Sequence, residues 1–198
     1  MSIKKIITGL ALSLLLASGV AVAADFGKGL EAKNSGDFKT VLAEWIPLAE
    51  QGNAMAQFNL GHMYANGYGV PENDKTAVKW FTKAAEQGLA EGQFNLGAMY
   101  DFGDGVPEND KTAVKWYTLA AEQGYAIAQR YLGAMYDFGD GVPQNDKTAV
   151  KWYTLASYNG SEVARENKDA VAKQMTPADI SAAQDMSSRC LENNYRDC

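Results

Sequence analysis

Histidine is almost absent from this 198-residue chain, with His62 the single copy. That excludes a metal cluster built on imidazoles and a Ser-His-Asp relay with a base to spare. Cysteine is nearly as scarce: only Cys190 and Cys198 occur, both near the end of the chain. A dense disulfide framework or a four-thiolate metal site is excluded with it. Positive charge is short as well, 18 Lys and Arg against 24 Asp and Glu, for a formal charge of −6 with no basic stripe to offset it. Such a surface repels phosphate backbones, so nucleic acid is not expected as a partner.

Catalytic signatures are missing too. There is no Gly-x-Ser-x-Gly, and the one Ser-x-x-Lys, from Ser2 to Lys5, falls in the first residues. The Gly-x-Gly triplets at Gly67, Gly103 and Gly139 lack the third glycine and the basic residue of a phosphate loop. The acidic stretch from Asp101 to Asp104 and its copy from Asp137 to Asp140 lack the alternating ligands and closing glutamate of a calcium loop. The expectation is a chain with no catalytic residue, no metal and no cofactor.

One hydrophobic run stands out. Lys4 and Lys5 precede an apolar stretch from Ile6 to about Leu16, and small residues close on Ala21-Val22-Ala23. This pattern predicts a secretory signal peptide cut after Ala23, a periplasmic or secreted protein, and no membrane insertion after cleavage. Loss of Lys4 and Lys5 takes the formal charge from −6 to −8. In an oxidising compartment Cys190 and Cys198 are expected to pair. On one continuous helix residues eight apart would lie about 12 Å from each other, too far to bridge, so the helix must end between them, at Asn193-Asn194. Two free thiols or a bridge to another chain are the alternatives.

What the sequence has in quantity is repetition. Residues 96–120 recur at 132–156 with one change, Glu108 against Gln144. The 36-residue offset is marked throughout by Leu60-Gly61, Leu96-Gly97 and Leu132-Gly133, by Val70-Pro71 and its copies, and by Trp80, Trp116 and Trp152. A period of this length means stacked helical hairpins. Ala56, Leu60 and Tyr64, spaced by four, predict a first helix over about Ala54 to Asn66; Ala77, Trp80, Phe81 and Ala84 predict a second. Glycines at 67 and 69 stop the first helix, and Asp74 is expected to cap the second, as Asp110 and Asp146 do in the later copies. Gly61, Gly97 and Gly133 sit inside helices, where glycine costs about 1 kcal/mol against alanine. The expected compensation is close packing of Trp80, Trp116 and Trp152 against them, with these rings dominating the core.

The units divide the chain into a signal segment (1–23), a first hairpin (24–53), repeats at 54–89, 90–125 and 126–161, and a closing segment (162–198). The first hairpin turns at Ser35-Gly36-Asp37, places Trp45 near the phase of the repeat tryptophans, and carries Pro47 inside its second helix, where a bend is expected. Thr176-Pro177-Ala178-Asp179 reads as the start of a last, capping helix.

The run A-x-A-Q-x-x-L-G-x-M-Y, then G-x-G-V-P-x-N-D-x-x-x-A-x-x-W, then A-A-E-Q-G, resembles the Sel-one-like repeat (SLR) family, relatives of the tetratricopeptide repeats. The resemblance covers Asn53 to Gly160 and implies an all-α, right-handed solenoid with a concave face. It also implies a non-catalytic adaptor or scaffold of the cell envelope that binds a protein or peptide. A cysteine-rich, Helicobacter-type branch of the family is associated with penicillin binding and weak β-lactamase activity. A β-lactam-binding or cell-wall-modifying enzyme is therefore the alternative, although the cysteine pair that branch carries in each repeat is missing here.

In such hairpins the exposed side of each first helix lines the concave face. Phased on the Leu-Gly pairs, that face holds Met55, Glu91 and Ile127, then Phe58, Phe94 and Arg130, beside Asn59, Asn95 and Tyr131. Its far side has Asn66, Phe102 and Phe138, with Asp101 and Asp137, and His62 also stands on it. Aromatic anchors beside amides and acids suit an extended peptide with apolar side chains and a basic one. The alternative is that several of these aromatics fill the joints between hairpins.

Overall fold

The computed structural model describes residues 24–195 and 198; the expected signal peptide, residues 1–23, lies outside the described residues. These form ten α-helices and no strand: α1 (Phe26–Ser35), α2 (Phe38–Glu50), α3 (Ala54–Asn66), α4 (Asp74–Glu86), α5 (Ala90–Phe102), α6 (Asp110–Ala121), α7 (Ala126–Phe138), α8 (Asp146–Tyr158), α9 (Glu162–Ala172) and α10 (Pro177–Glu192). Helices pair as hairpins α1–α2, α3–α4, α5–α6 and α7–α8, and each hairpin leans on the next through α2–α3, α4–α5, α6–α7 and α8–α9. The result is an all-α solenoid in which each unit finds its core in its neighbours.

Local chemistry sets the helix ends. The first helix of each repeat stops at a left-handed glycine, Gly67, Gly103 or Gly139, whose N–H closes onto Met63, Met99 or Met135. The second helix is capped by Asn73, Asn109 or Asn145, not by the aspartate that follows. Each asparagine is extended, and its Oδ1 accepts from the N–H three residues on, Thr76, Thr112 or Thr148, at 2.9 to 3.0 Å. Asp74, Asp110 and Asp146 are already helical and contribute charge to the positive end.

The interior glycines do receive a ring, but a different one. A Cβ on Gly61 would lie 2.6 Å from Phe81, and on Gly97 or Gly133 2.7 Å from Tyr117 or Tyr153. Phe81, Tyr117 and Tyr153 are fully buried, whereas Trp80 and Trp116 are only partly so. Adjacent residues on a helix diverge by about 100°, so one position decides whether a ring enters its own hairpin or the joint to the one before. Trp116 joins the Ala77, Val78 and Phe81 cluster of the preceding repeat, and Trp152 joins Ala113, Val114 and Tyr117. Trp45 stands 36 residues before Phe81, not before a repeat tryptophan, and it fills the space over Gly29. Burying one such ring, about 200 Å² at ~25 cal/mol per Å², stabilises by at most about 5 kcal/mol.

A buried amide ladder ties the units together. Gln57 Nε2 donates to the Ala49 carbonyl at 2.9 Å, and its Oε1 accepts from Gln87 at 2.6 Å. One repeat on, Gln93 donates to Ala85 and accepts from Gln123; two repeats on, Gln129 donates to Ala121 and accepts from Asn159. This explains the glutamine of A-x-A-Q and of A-E-Q-G: each satisfies polar groups that the stacked hairpins bury.

At the ends the pattern changes. α2 continues through Pro47 from Phe38 to Glu50. α10 starts at the Thr176 cap, whose hydroxyl accepts from the Asp179 N–H at 3.2 Å, and lies against α8. It ends at Asn193, Asn194 and Tyr195 take positive φ, and the reversed chain brings Cys198 to Cys190 in a disulfide with Cα atoms 5.0 Å apart.

Candidate functional site

The candidate face is carried by α3, α5 and α7, and the structure divides its residues into groups. Phe94, Arg130 and Tyr131 come together. The Phe94 ring lies 5.6 Å from Tyr117, 5.7 Å from Tyr125 and 5.4 Å from Tyr131, and the Arg130 guanidinium sits 4.3 Å over the Tyr131 ring. Phe94 is thus half-buried in the joint between two hairpins, and Arg130 with Tyr131 forms the outer lip of that cluster.

Phe58 and His62 form a second group at the first repeat. Phe58 packs 6.1 Å from Phe81 and 6.4 Å from His62, and His62 stacks 5.9 Å from Tyr68. Burial, helped by the charge of Lys33, holds the His62 imidazole below its usual range, so it is neutral at neutral pH.

Asn59 and Asn95 stand apart from both groups. Each donates to the carbonyl four residues back, Met55 at 2.8 Å and Glu91 at 2.7 Å, which uses one of the amide's two donors. Around them Met55 and Ile127 are exposed.

Asp101 and Asp137 are fixed by tyrosines that the sequence reading assigned no role. The Tyr117 hydroxyl donates to Asp101 at 3.0 Å and that of Tyr153 to Asp137 at 3.3 Å. Burial holds both carboxyls above the ordinary range, opposed by the tyrosine bond; the charges of Asp110 at the start of α6, Asp140 in the loop after α7, and Glu108 push Asp101 the same way. Each phenolic proton is held more tightly in return, chiefly through burial. Next to these carboxyls Phe102 is 60% and Phe138 73% exposed, large apolar rings one repeat apart in water. The sequence did carry a signal for the tyrosine pairs: where repeats 2 and 3 have Asp and Tyr, repeat 1 has Ala65 and Phe81.

Among the described residues no three His, Cys, Asp or Glu side chains group as a cation would need, and no helix is long and apolar enough to cross a membrane. An open cleft of about 610 Å³ is lined by Lys79, Trp80 and Lys83 on α4 together with Tyr64 on α3.

The Sel1 repeat model matches residues 54–89, 90–125 and 126–161. No curated protein matches the chain. Among solved structures, a Sel1 repeat protein from Oxalobacter formigenes is 36% identical with a TM-score of 0.70, covering 73% of this chain and 59% of its own. A protective antigen present in uropathogenic Escherichia coli strains, with an SLR fold, is 30% identical with a TM-score of 0.61, covering 79% of this chain and 41% of its own. Cysteine-rich protein B of Helicobacter pylori is 25% identical with a TM-score of 0.53, covering 66% of this chain and 93% of its own. This chain therefore spans less than two thirds of the length of the first two. Sel1 repeats generally mediate protein–protein interaction. With three consecutive repeats over residues 54–161 and solved folds of the same kind, the chain belongs to the Sel1 repeat family.

Proposed function

We propose that this chain is a non-catalytic scaffold or adaptor of the bacterial cell envelope, periplasmic or secreted, that binds a protein or peptide segment on the concave face carried by α3, α5 and α7. The observation that carries this reading is the pair Phe102 and Phe138, each exposed and each beside a carboxyl that a tyrosine holds in place. Exposed rings flanked by fixed polar groups are what a binding surface offers, because a prearranged face loses little entropy on engagement. The acids and the negative charge of the chain favour a segment with apolar side chains and a basic residue.

In-cell photo-crosslinking from Asn95 tests the face and identifies the partner. Alanine at Phe102 and Phe138 together is expected to weaken that partner's binding by about tenfold or more. If binding survives these changes and alanine at Asn59 and Asn95, the face is wrong. Cell fractionation with N-terminal sequencing tests export, for which the expected first residue is Ala24. The competing enzyme reading draws on the resemblance to the cysteine-rich branch alone. Turnover of a chromogenic β-lactam by the purified protein, abolished by one point substitution, would replace the scaffold reading.

A further inference from the structure

Residues Asp110 to Ala120 on α6 and Asp146 to Ala156 on α8 are identical, yet their surroundings differ. On α8, Lys151, Trp152 and Leu155 are 4%, 3% and 0% exposed. On α6, Lys115 is exposed, Trp116 partly so, and Leu119 is 43% exposed. The difference is α10. It runs beside α8 in the same direction: Asp179 pairs with Lys147 at 3.2 Å, Ser187 Oγ lies 3.4 Å from the Lys151 carbonyl, and the Tyr195 hydroxyl donates to Asn159 at 2.9 Å. The buried face of α10 is small, Ala183 and Ser187 four apart, and this permits close approach; Cys190 joins the Trp152 and Leu155 cluster. Past the end of α10, Tyr195 covers Gly124 of the preceding repeat, where a Cβ would lie 3.0 Å from its ring.

Shifted back by one repeat, this footprint falls on Lys111, Lys115, Trp116, Leu119, Gln123 and Gly88. Five of the six are identical to their counterparts, and the sixth exchanges one amide, Asn159, for another. Among the described residues, and apart from Gly88 and its two chain neighbours, no atom stands within 4 Å of the place where a Gly88 Cβ would be, in contrast to the tyrosine over Gly124. Repeat 2 therefore presents a copy of the surface that repeat 3 buries under a helix.

We propose that this face of α6 docks a helix of a partner protein with the chemistry of α10. Such a helix presents alanine or serine four residues apart, a carboxylate in its first turn for Lys111, and a tyrosine beyond its last turn for Gln123 and Gly88. The chain's own α10 is committed to α8, where it buries Leu155 and Trp152. The same apolar atoms on α6, flanked by the cations Lys111 and Lys115, make a small-faced, acid-led helix the matching occupant. This surface is separate from the α3–α5–α7 face, so the two readings stand or fall independently.

The probe is a fluorescent peptide of residues 176–198 with its disulfide closed, added to the purified protein and followed by anisotropy. The expected result is saturable binding, weakened about tenfold or more by Leu119→Glu and unchanged by Lys39→Ala, an exposed position on α2 that belongs to neither face. Leu119 is exposed, so the variant should fold; a circular dichroism melt checks that. Absence of saturable binding up to millimolar peptide overturns the proposal. So does equal binding by the native and Leu119→Glu proteins, which would mean that the peptide exchanges with α10 on α8 instead.

Discussion

The Tyr117 hydroxyl donates to the Asp101 carboxylate at 3.0 Å and joins the two helices of the second repeat across a half-buried gap. Tyr153 and Asp137 repeat the bond at 3.3 Å, while the first repeat replaces both partners, with Phe81 and Ala65. Removing one partner strands the other, whereas removing both restores the arrangement of repeat 1.

Asp101→Ala and Tyr117→Phe are each expected to destabilise by about 1–2 kcal/mol, and the double variant by about 1 kcal/mol less than their sum. Urea unfolding of the four proteins measures the coupling. Strict additivity would mean that the bond contributes nothing.

Gly97→Ala places a methyl 2.7 Å from the Tyr117 ring. The gain in helix propensity is about 1 kcal/mol, and overpacking in a filled core costs about 1–3 kcal/mol. The expected outcome is a lower thermal midpoint. A midpoint above that of the native protein would show that the tyrosine moves aside freely.

Gln129 is fully buried, donates to Ala121 at 3.0 Å and accepts from Asn159 at 2.9 Å. Gln129→Leu keeps the volume roughly constant but leaves both partners unpaired, which costs about 1–3 kcal/mol for each group stranded. Amide hydrogen exchange should be fastest at the α6–α7 and α8–α9 joints. Uniformly faster exchange along the chain would argue against a local role for the ladder.

Lys151 lies under α10, its amine donates to the Cys198 carbonyl at 2.7 Å, and burial lowers its pKa to about 8, with Glu122 acting the other way. The unfolded chain holds this proton up to about 10.5, so stability rises as pH climbs from about 8 to 10.5, and the penalty is fully present below that window. Lys151→Met should therefore stabilise the protein at neutral pH by about 1–2 kcal/mol, an advantage that shrinks as the solution becomes alkaline. Chemical unfolding of both proteins at neutral and alkaline pH checks the size and the slope. A variant less stable than the native protein at neutral pH would mean that the bond to Cys198 outweighs desolvation.

The helices of each repeat were legible in the sequence because their ends depend on local chemistry. A glycine that must take positive φ at position 67 and an apolar spacing of four before it suffice to place α3 at Ala54–Asn66. The choice of cap was not legible: Asn73 and Asp74 are both good caps, and only the backbone path decides which one is extended. The candidate face was legible as a set of positions but not as a surface. Phe94 and Phe102 look alike in sequence, yet Phe94 enters a cluster of tyrosines and Phe102 stands in water, because the neighbouring hairpin reaches the first and not the second.

By itself, then, the sequence determined the repeat: its length, the hairpin within it, its stops, and the poverty of catalytic groups. All of these follow from interactions within about one turn of helix or from the identity of residues 36 apart. The tertiary structure alone decided which ring fills which gap and which of two identical faces is covered. Trp116 and Trp152 have the same neighbours in sequence, but only α8 has α10 lying on it. Burial belongs to the neighbours a side chain meets in space, and duplication of a segment does not duplicate them.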